Sequence, residues 1–171
     1  PRSAKIKTDF GKKPLPAFLE ETGFRQVVLN LAINARDAIP RNGKIKINAR
    51  IIKQGDVMME DAWGGDRVAP ARGAEISFSD NGGGVTAEIA EYLFDPFFTT
   101  KESSSGSGFG LYNSKLFIED HNGEIGFTST PGQGSVFYLF IPFALVDEDE
   151  DEEMHEKTAK RATREFSKKR K

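Results

Sequence analysis

The chain lacks three features that would point to particular classes of protein. It has no cysteine among its 171 residues, which excludes disulfides, thiolate zinc sites and cysteine nucleophiles. Its longest apolar run, Val136 to Val146, has 11 residues and contains Pro142, so it is too short to span a bilayer. Its 24 basic and 26 acidic residues give a net charge of -2, and we expect no nucleic-acid partner.

The first residues show no pattern of a signal peptide, and the sequence does not begin with methionine. Pro1 to Lys5 is followed by no apolar stretch. We therefore expect a cytoplasmic domain that belongs to a longer chain. Whether that longer chain is soluble or membrane-anchored stays open.

Charge divides the sequence into two parts. Residues 147–171 hold 9 acidic and 8 basic residues in blocks, with an acidic run from Asp147 to Glu153 and a basic end from Lys168 to Lys171. Such blocks cannot bury an apolar core and usually stay solvated. We predict a globular domain over residues 1–146 and a charged linker over 147–171, with an exposed helix over 153–169.

The apolar pattern predicts helices and strands in one mixed domain. In chain order the sequence predicts a strand and loop over 4–17, a helix over 21–38, a strand over 44–52, a long loop over 54–73, a strand over 74–79, a short helix over 86–93, a helix over 110–121 and strands over 124–128 and 135–142. This mix of helices and strands favours a sheet that is covered by helices on one face.

The first of three unusual clusters lies on the first long helix. At 3.6 residues per turn, Asn30, Asn34 and Asp37 lie within about 60° of one another, beside an apolar face centred near Leu31. An asparagine carbonyl oxygen suits a hard cation whose other ligands are phosphates and water. Two asparagines one turn apart are not explained by helix propensity, so the cluster favours a site over a solvated helix face.

The second cluster, Phe78 to Val85, contains Asp-Asn-Gly-Gly-Gly at the end of a strand. Glycines let the backbone approach a ligand closely, and a carboxylate there can accept a hydrogen bond from an exocyclic amine such as that of adenine. The sequence Asp-Asn-Gly is also typical of an ordinary turn without a binding function. By itself this cluster favours the turn.

The third cluster, Gly106 to Leu111, is a glycine-rich loop that runs into a helix. Backbone amides at a helix N-terminus bind phosphate well. The loop is neither a Walker A loop nor a dinucleotide-binding fingerprint, because the glycine spacing and the preceding sequence differ from both. By itself this signal is weak.

In this order and spacing, the three clusters together resemble the catalytic and ATP-binding domain of bacterial histidine protein kinases, within the superfamily that includes gyrase, the Hsp90 chaperones and the MutL proteins. The resemblance covers residues 4–143 and is nearest to the nitrogen-regulation and sensory-box branch. The family's motifs correspond to the N box at 30–38, the G1 box at 80–84, the F box at 94–101, the G2 box at 106–111 and the closing turn at 131–135. Two mild departures are Phe109 for the usual leucine and Ser135 for the usual threonine.

The resemblance implies an α/β (α+β) fold of the Bergerat type, a two-layer sandwich of a mixed β-sheet with helices on one face. It also implies ATP and Mg²⁺ as cofactors, with Asn34 holding the metal and Asp80 binding the adenine amine. The residues that it places in the nucleotide site are Asn30, Asn34, Arg36, Asp37, Asp80, Gly82, Gly84, Val85, Lys101, Gly106, Ser107, Gly108, Phe109, Gly110, Leu111 and Ser135. For Arg36 and Lys101 a solvated basic residue is the alternative to a phosphate contact. The resemblance also implies a flexible lid over residues 99–110 whose amides meet the phosphates. Phe97 and Phe98 are expected to pack against this lid rather than touch the nucleotide.

Asn30 and Asn34 are the expected catalytic residues, and Asn30 separates the subfamilies. Relatives that hydrolyse ATP place a glutamate there to activate water, whereas an asparagine amide has no useful basicity. A neutral imidazole is already nucleophilic and needs less help. Asn30 therefore favours a histidine kinase over a gyrase-like or chaperone-like conformational ATPase. A nucleotide-binding module without turnover is the third alternative, and intact Asn34 and Asp80 count against it.

The expected partners lie outside the chain. Neither His121 nor His155 resembles a phosphoacceptor motif, so the acceptor histidine is expected on a dimerisation domain that precedes Pro1, in a homodimeric full-length protein. A response-regulator receiver domain is the expected next partner. The basic end at Lys168–Lys171 suggests that a receiver is fused just after Lys171; a solvated extension, or a basic end that attracts membranes or nucleic acid, is the alternative.

Overall fold

A computed structural model describes residues 4–12, 14–58, 66–101 and 107–143. Within them lie five strands and three helices. The strands are β1 (Lys5–Asp9), β2 (Lys44–Ile52), β3 (Gly73–Asp80), β4 (Glu124–Thr130) and β5 (Gly134–Pro142), and the helices are α1 (Glu21–Ala38), α2 (Ala87–Ala90) and α3 (Gly110–Asp120). The expected tail helix over 153–169 and the boundary at 146/147 lie outside the described residues.

The five strands form one mixed sheet in the order β1-β2-β3-β5-β4. β1 runs parallel to β2, and the other three pairings are antiparallel. α1 packs on β3, β5 and α3, and α3 packs on β4. The expected arrangement of a mixed sheet with helices on one face is confirmed.

The main core lies between the sheet and the two long helices. Val27 and Leu31 of α1 and Ile118 of α3 pack against Phe78 and Leu139 of the central strands, and each is at most 2% exposed. This burial confirms the helical periodicity around Leu31. Because one face of α1 is committed to the core, its polar residues at 30, 34 and 37 lie at the edge of that face.

A second apolar cluster lies away from the main core. The segment after β2 carries Met58 and Ala69, which pack with Ile52 and Phe140. Met58 and Ala69 are 4% and 1% exposed, and an isolated bridge joins Val57 to Val68. Within the described residues 54–58 and 66–72, the predicted long loop is irregular, as expected, and Met58 and Ala69 anchor it to the sheet.

The boundaries of several elements differ from the prediction. α2 ends at Ala90 rather than near Leu93, and Thr86 makes no side-chain cap for it. α1 is capped by the Glu20 carboxylate, which accepts hydrogen bonds from the backbone N–H groups of Thr22 (2.8 Å) and Gly23 (2.5 Å). Helix ends depend on such local contacts, which the apolar period does not encode.

Candidate nucleotide site

A cavity of about 490 Å³ lies between α1, the end of β3, the start of β5 and the chain on either side of α2 and before α3. Its volume is that of a small-molecule site. The residues lining it are Asn30, Ile33, Asn34, Asp37, Ala38, Asp80, Gly84, Val85, Leu93, Phe98, Thr99, Thr100, Lys101, Ser107, Gly108, Gly110, Leu111, Ser135 and Phe137. The cavity therefore brings together residues from all three clusters of the sequence.

Asp80 lies at the end of β3 and is only 8% exposed. Its Oδ1 accepts a hydrogen bond from the backbone N–H of Gly82 at 2.7 Å. Burial raises the pKa of the Asp80 carboxyl, and hydrogen bonds from the backbone amides of Gly82 and Ser135 offset part of that rise. A buried acceptor that lines a cavity in this way is equipped to bind a neutral donor group of a ligand.

The loop after Asp80 packs so closely against its neighbours that two of its positions have no room for a side chain and need glycine. A Cβ at Gly82 would lie 2.4 Å from the carbonyl oxygen of Ala38, at the end of α1. Gly84 has a φ of 70°, and a Cβ there would lie 2.4 Å from the carbonyl oxygen of Thr130. The glycines thus let the loop pass between α1 and the β4–β5 turn.

Ser129 fixes the opposite side of this loop. Its Oγ accepts a hydrogen bond from the backbone N–H of Val85 at 2.8 Å and donates to the carbonyl oxygen of Gly134 at 3.0 Å. It also lies 2.9 Å from the Oγ of Ser135. Ser129 was missed by the sequence analysis, because a serine in a strand carries no local signal for a contact across two loops.

The Lys101 side chain lies on the α1 side of the cavity. The Lys101 ammonium donates to Asp37 Oδ2 at 2.8 Å and to Asn34 Oδ1 at 3.2 Å. Burial would raise the pKa of Asp37, but hydrogen bonds from Lys101 and Arg36 outweigh it and hold that pKa below its ordinary value. The two α1 oxygens therefore face the cavity as a group that accepts a cation.

Asn30 has a different set of contacts from Asn34. Its Nδ2 donates to the carbonyl oxygen of Gly110 at 3.2 Å and to Ser114 Oγ at 3.3 Å, and its Oδ1 accepts from Gln26 Nε2 at 3.0 Å. Both ends of the amide are thus occupied. Asn30 joins α1 to the first turn of α3, where the expected phosphate-binding loop ends.

The chain before α3 is positioned by aromatic packing. Phe97 has a φ of 66° and packs edge-on against Phe109, with ring centroids 4.6 Å apart. Gly108 has a φ of 72°, and a Cβ there would lie 2.4 Å from the carbonyl carbon of Phe97. Phe97 therefore packs against the lid sequence as expected, whereas Phe98 lines the cavity itself.

The family of the chain follows from comparison with known sequences. Residues 19–145 match the family described as histidine kinase-, DNA gyrase B- and HSP90-like ATPases. The chain belongs to this ATPase family. The match covers the cavity and all five motifs that the sequence analysis identified.

Curated relatives of this ATPase family member are sensor kinases. The chain is 33% identical over 154 residues to the sensor kinase CckA of Brucella abortus (strain 2308), a match that covers 88% of the chain and 16% of that relative. It is 39% identical over 118 residues to the signal transduction histidine-protein kinase AtoS of Escherichia coli (strain K12), covering 69% of the chain and 16% of AtoS. The chain thus spans about a sixth of the length of these relatives.

Solved structures place the ATPase fold of the chain among histidine kinases. The catalytic domain of histidine kinase ThkA, in a nucleotide-free form, superposes with a TM-score of 0.61 at 28% identity, covering 81% of the chain and 78% of that domain. This likeness confirms the fold that the motif resemblance implied. In the described part of the chain, no helix combines the length and apolar character needed to cross a membrane.

Most residues that the sequence analysis assigned to the ATPase nucleotide site line the cavity. Arg36, Gly82 and Phe109 do not. Arg36 is exposed and pairs with Asp37, while Gly82 and Phe109 have the packing contacts described above. Gly106 and the centre of the expected lid, residues 102–106, lie outside the described residues.

The lining residues that sequence reasoning missed are mostly apolar: Ile33, Ala38, Leu93, Phe98, Thr99, Thr100 and Phe137. Phe137 lies two residues after Ser135 in a strand and therefore faces the same side. That period-2 relation was a usable signal for Phe137. No comparable signal pointed to Leu93, whose position depends on where α2 ends.

Proposed function

We propose that this ATPase domain binds Mg–ATP in the cavity and transfers the γ-phosphate to a histidine on a separate dimerisation domain. The observation that carries the proposal is the polarity of the cavity. A buried carboxyl, Asp80, lies on its β3 side, and a cation-accepting group formed by Asn34 and Asp37 lies on its α1 side, with apolar residues among the lining.

The Asp80 side fits an adenine. An adenine amine is a neutral donor, and the carboxyl of Asp80 is a buried acceptor. Val85, Leu93 and Phe137 line the same cavity and offer apolar surface to the base. Guanine carries a carbonyl oxygen at the corresponding position, which would face the carboxyl with no proton to donate.

The α1 side fits a magnesium triphosphate. The Lys101 ammonium bonds to Asn34 Oδ1 and Asp37 Oδ2, which supports a role for this oxygen pair in binding a cation. Amide and carboxylate oxygens suit Mg²⁺, whose remaining ligands are usually phosphates and water. Asn34 would hold the ion, and the ion would supply positive charge to neutralise the charge that develops on the phosphates. Lys101 and the amides at the start of α3 would contact the phosphates.

Asn30 supports transfer to histidine rather than hydrolysis. An amide cannot remove a proton from water, and both ends of this one are hydrogen-bonded to protein. A positioned imidazole nitrogen needs no such base. In this proposal Asn30 acts by holding the start of α3 against α1, and catalysis consists of placing the γ-phosphate in line with the incoming imidazole.

The acceptor histidine belongs to another domain in this proposal. His121 Nδ1 lies 2.7 Å from the carbonyl oxygen of Phe117, and its Nε2 accepts from the backbone N–H of Glu20 at 3.4 Å. These contacts assign His121 a structural role where α3 meets the start of α1, and His155 lies outside the described residues. A dimerisation domain in a homodimeric parent would supply the acceptor, and a receiver domain would accept the phosphoryl group next.

The deciding experiment is phosphorylation of a separate acceptor. The chain is incubated with γ-labelled ATP and a dimerisation domain from a related sensor kinase, and label on histidine is measured. The proposal expects acid-labile, base-stable label on that domain and little phosphate release without it. Phosphate release without transfer would indicate a conformational ATPase instead. ATP binding with neither product would indicate a binding module.

The metal assignment has its own test. Replacing Asn34 with alanine should reduce the Mg²⁺-dependent part of ATP affinity and leave the melting temperature of the nucleotide-free protein nearly unchanged. Isothermal titration with and without Mg²⁺ measures the first quantity, and a thermal melt measures the second. A large loss of stability without nucleotide would instead assign Asn34 a structural role.

The fused receiver is tested by the parent reading frame. A strand of apolar residues that ends in paired aspartates shortly after Lys171 would support it. A stop codon within a few residues of Lys171 would end that part of the proposal and leave the kinase assignment untouched.

A further inference from the structure

Four lysines form a compact group on the sheet face opposite the helices. Lys5 and Lys7 of β1 pair directly with Lys44 and Lys46 of β2. The intervening Ile45 is buried against α1 residues, so the lysines on either side of it point to the opposite face. All four are exposed. We call this group the lysine corner.

The lysine corner concentrates four positive charges beside a single carboxylate, Asp9, on the same face. Paired residues on neighbouring strands lie ~5 Å apart and alternate residues along a strand ~7 Å apart. Within the described part of the chain, no carboxylate forms an ion pair with any of the four. Asp9 follows Lys7 on the same face and offsets one of the four charges; its Oδ1 accepts a hydrogen bond from the backbone N–H of Gly11 at 3.4 Å. Such a group of like charges favours an anionic partner.

The sequence contains a segment of matching chemistry. The acidic run, Asp147 to Glu153, consists of seven consecutive carboxylates, and it begins four residues after Phe143. We propose that this acidic run docks on the lysine corner of its own chain. The proposal does not depend on nucleotide binding or on the kinase assignment.

The straight-line distances permit this contact. Met58 and Ala69 pack on Ile52 and Phe140 of the same sheet face, so the acidic run must pass beside that segment. Pro142 pairs with Gly73, and Gly73 pairs with Ile52, so the end of β5 lies level with Ile52 and two strand spacings from β2. Lys46 lies six residues before Ile52 in β2. It is therefore ~20 Å from the end of β5 along the strand direction and ~10 Å from it across the strands, which is a straight-line distance of ~22 Å. Lys5, the farthest of the four, lies at ~30 Å by the same count.

The acidic run spans this range of distances. Its first residue is four residues beyond Phe143 and its last is ten. An extended chain covers ~14 Å in four residues and ~34 Å in ten. Its carboxylates can therefore reach Lys46 and Lys7 first and Lys44 and Lys5 with the residues near Glu153. The same segment is connected to β5 by a short linker, so its effective concentration at the corner is high.

Docking at this corner would act on the loop beside the nucleotide site. The backbone N–H of Lys44 donates to Asn81 Oδ1 at 2.6 Å, and the N–H of Asn81 donates to the carbonyl oxygen of Lys44 at 3.3 Å. Asn81 directly follows Asp80. A docked acidic run would hold the start of β2, and with it this loop, in place.

Zero-length carbodiimide coupling tests the contact, because it joins only carboxylates and amines that are in ion-pair contact. The full chain is treated at low protein concentration and the coupled peptides are identified by mass spectrometry. We expect couplings between residues 147–153 and Lys7, Lys44 and Lys46. Their yield should fall about tenfold when the salt concentration is raised to 1 M, where the Debye length is ~3 Å.

A matched pair of variants separates docking from mere proximity. Lys44→Glu with Lys46→Glu should abolish the couplings to the remaining corner lysines, and neutralising the acidic run with asparagine and glutamine should do the same. Lys12→Glu with Lys53→Glu makes the same change in net charge on exposed lysines outside the corner and should leave the couplings intact. Lys53 follows Ile52 and lies ~10 Å from the end of β5, nearer than any corner lysine.

Two results would overturn the proposal. A segment held only by its covalent connection would couple mainly to Lys53, with a yield that the corner variants do not change. A mixture of ¹⁵N-labelled and unlabelled protein that gives couplings between the two isotopes would show that the acidic run contacts a second copy instead.

Discussion

Replacing Asp80 with asparagine should reduce ATP affinity strongly while changing the stability of the folded protein little. The reason is that the carboxyl that would bind adenine is costly to bury. Asp80 is 8% exposed, and burial raises its pKa. Each unit by which the folded pKa exceeds the unfolded value costs about 1.4 kcal/mol of stability once the carboxyl is ionised. Asparagine removes this cost. It keeps one acceptor for the Gly82 amide but loses the second acceptor, a change of about 1 kcal/mol in the other direction.

The sign of the pH effect follows from the direction of this shift. The folded protein holds the Asp80 proton in the pH interval between the unfolded and the raised folded pKa, so wild-type stability falls as the pH rises through that interval. The cost is absent below the unfolded pKa and complete above the folded one. The Asp80→Asn variant does not titrate there, so its stability relative to wild type should increase from pH 4 towards neutral pH.

Urea denaturation across this pH range measures the stability difference, and isothermal titration measures ATP affinity. At neutral pH we expect the variant to lie within about 1 kcal/mol of the wild type. We expect ATP affinity to fall about 100-fold or more, because an amide N–H₂ would face the adenine amine donor. Asp9→Asn, an exposed substitution away from the cavity, serves as the control for both measurements.

Two outcomes would refute the reasoning about Asp80. A stability difference that is independent of pH would show that burial does not perturb this carboxyl. Unchanged ATP affinity, or equal affinity of the wild type for ATP and GTP, would show that Asp80 does not bind the base.

Three further substitutions test other contacts of the site. Lys101→Met removes the ammonium on the α1 side of the cavity, so the affinity for Mg–ATP measured by titration should fall about tenfold. The nucleotide-free protein should lose at most about 1 kcal/mol of stability. Unchanged affinity would show that Lys101 does not contact the phosphates. Asn30→Ala removes the hydrogen bond to Gly110 and should lower the free energy of unfolding, measured by urea denaturation, by about 1 to 2 kcal/mol. Amide hydrogen exchange at the start of α3 should also become faster. Gly134 has a φ of 114°, and a Cβ there would lie 2.1 Å from the backbone carbonyl oxygen at the end of β3. Gly134→Ala should therefore cost about 2 kcal/mol or more, whereas Gly83→Ala, where a Cβ would meet open space, should cost far less; equal costs would contradict the steric argument.

Local patterns in the sequence were sufficient for the elements and for the family. The apolar period around Leu31 predicted both the helix and its buried face, because the side chains that repeat every 3.6 residues must share one side. The same geometry placed Asn30, Asn34 and Asp37 together, and the structure confirms that all three line one cavity. Glycine-rich motifs at fixed spacing were enough to indicate the ATPase family.

Contacts between distant parts of the chain were decided only by the tertiary structure. Lys101 reaches Asn34 across 67 residues of sequence, and Asn30 reaches Gly110 across 80. No local pattern encodes which side chain will meet which across such distances. The different contacts of the two asparagines, one tied to α3 and one facing a cation, therefore could not be read from their shared motif.

The sequence by itself determined the order and type of the main helices and strands, the buried side of α1 and the residue types of the site, because these follow from periodicity and side-chain chemistry. Only the tertiary structure decided that Gly82 serves packing on Ala38, that Phe98 lines the cavity while Phe97 packs on Phe109, and that Ser129 fixes the loop. These roles depend on how the sheet, the helices and the turns come together. Close packing sets them, and it is a property of the assembled fold rather than of any one segment.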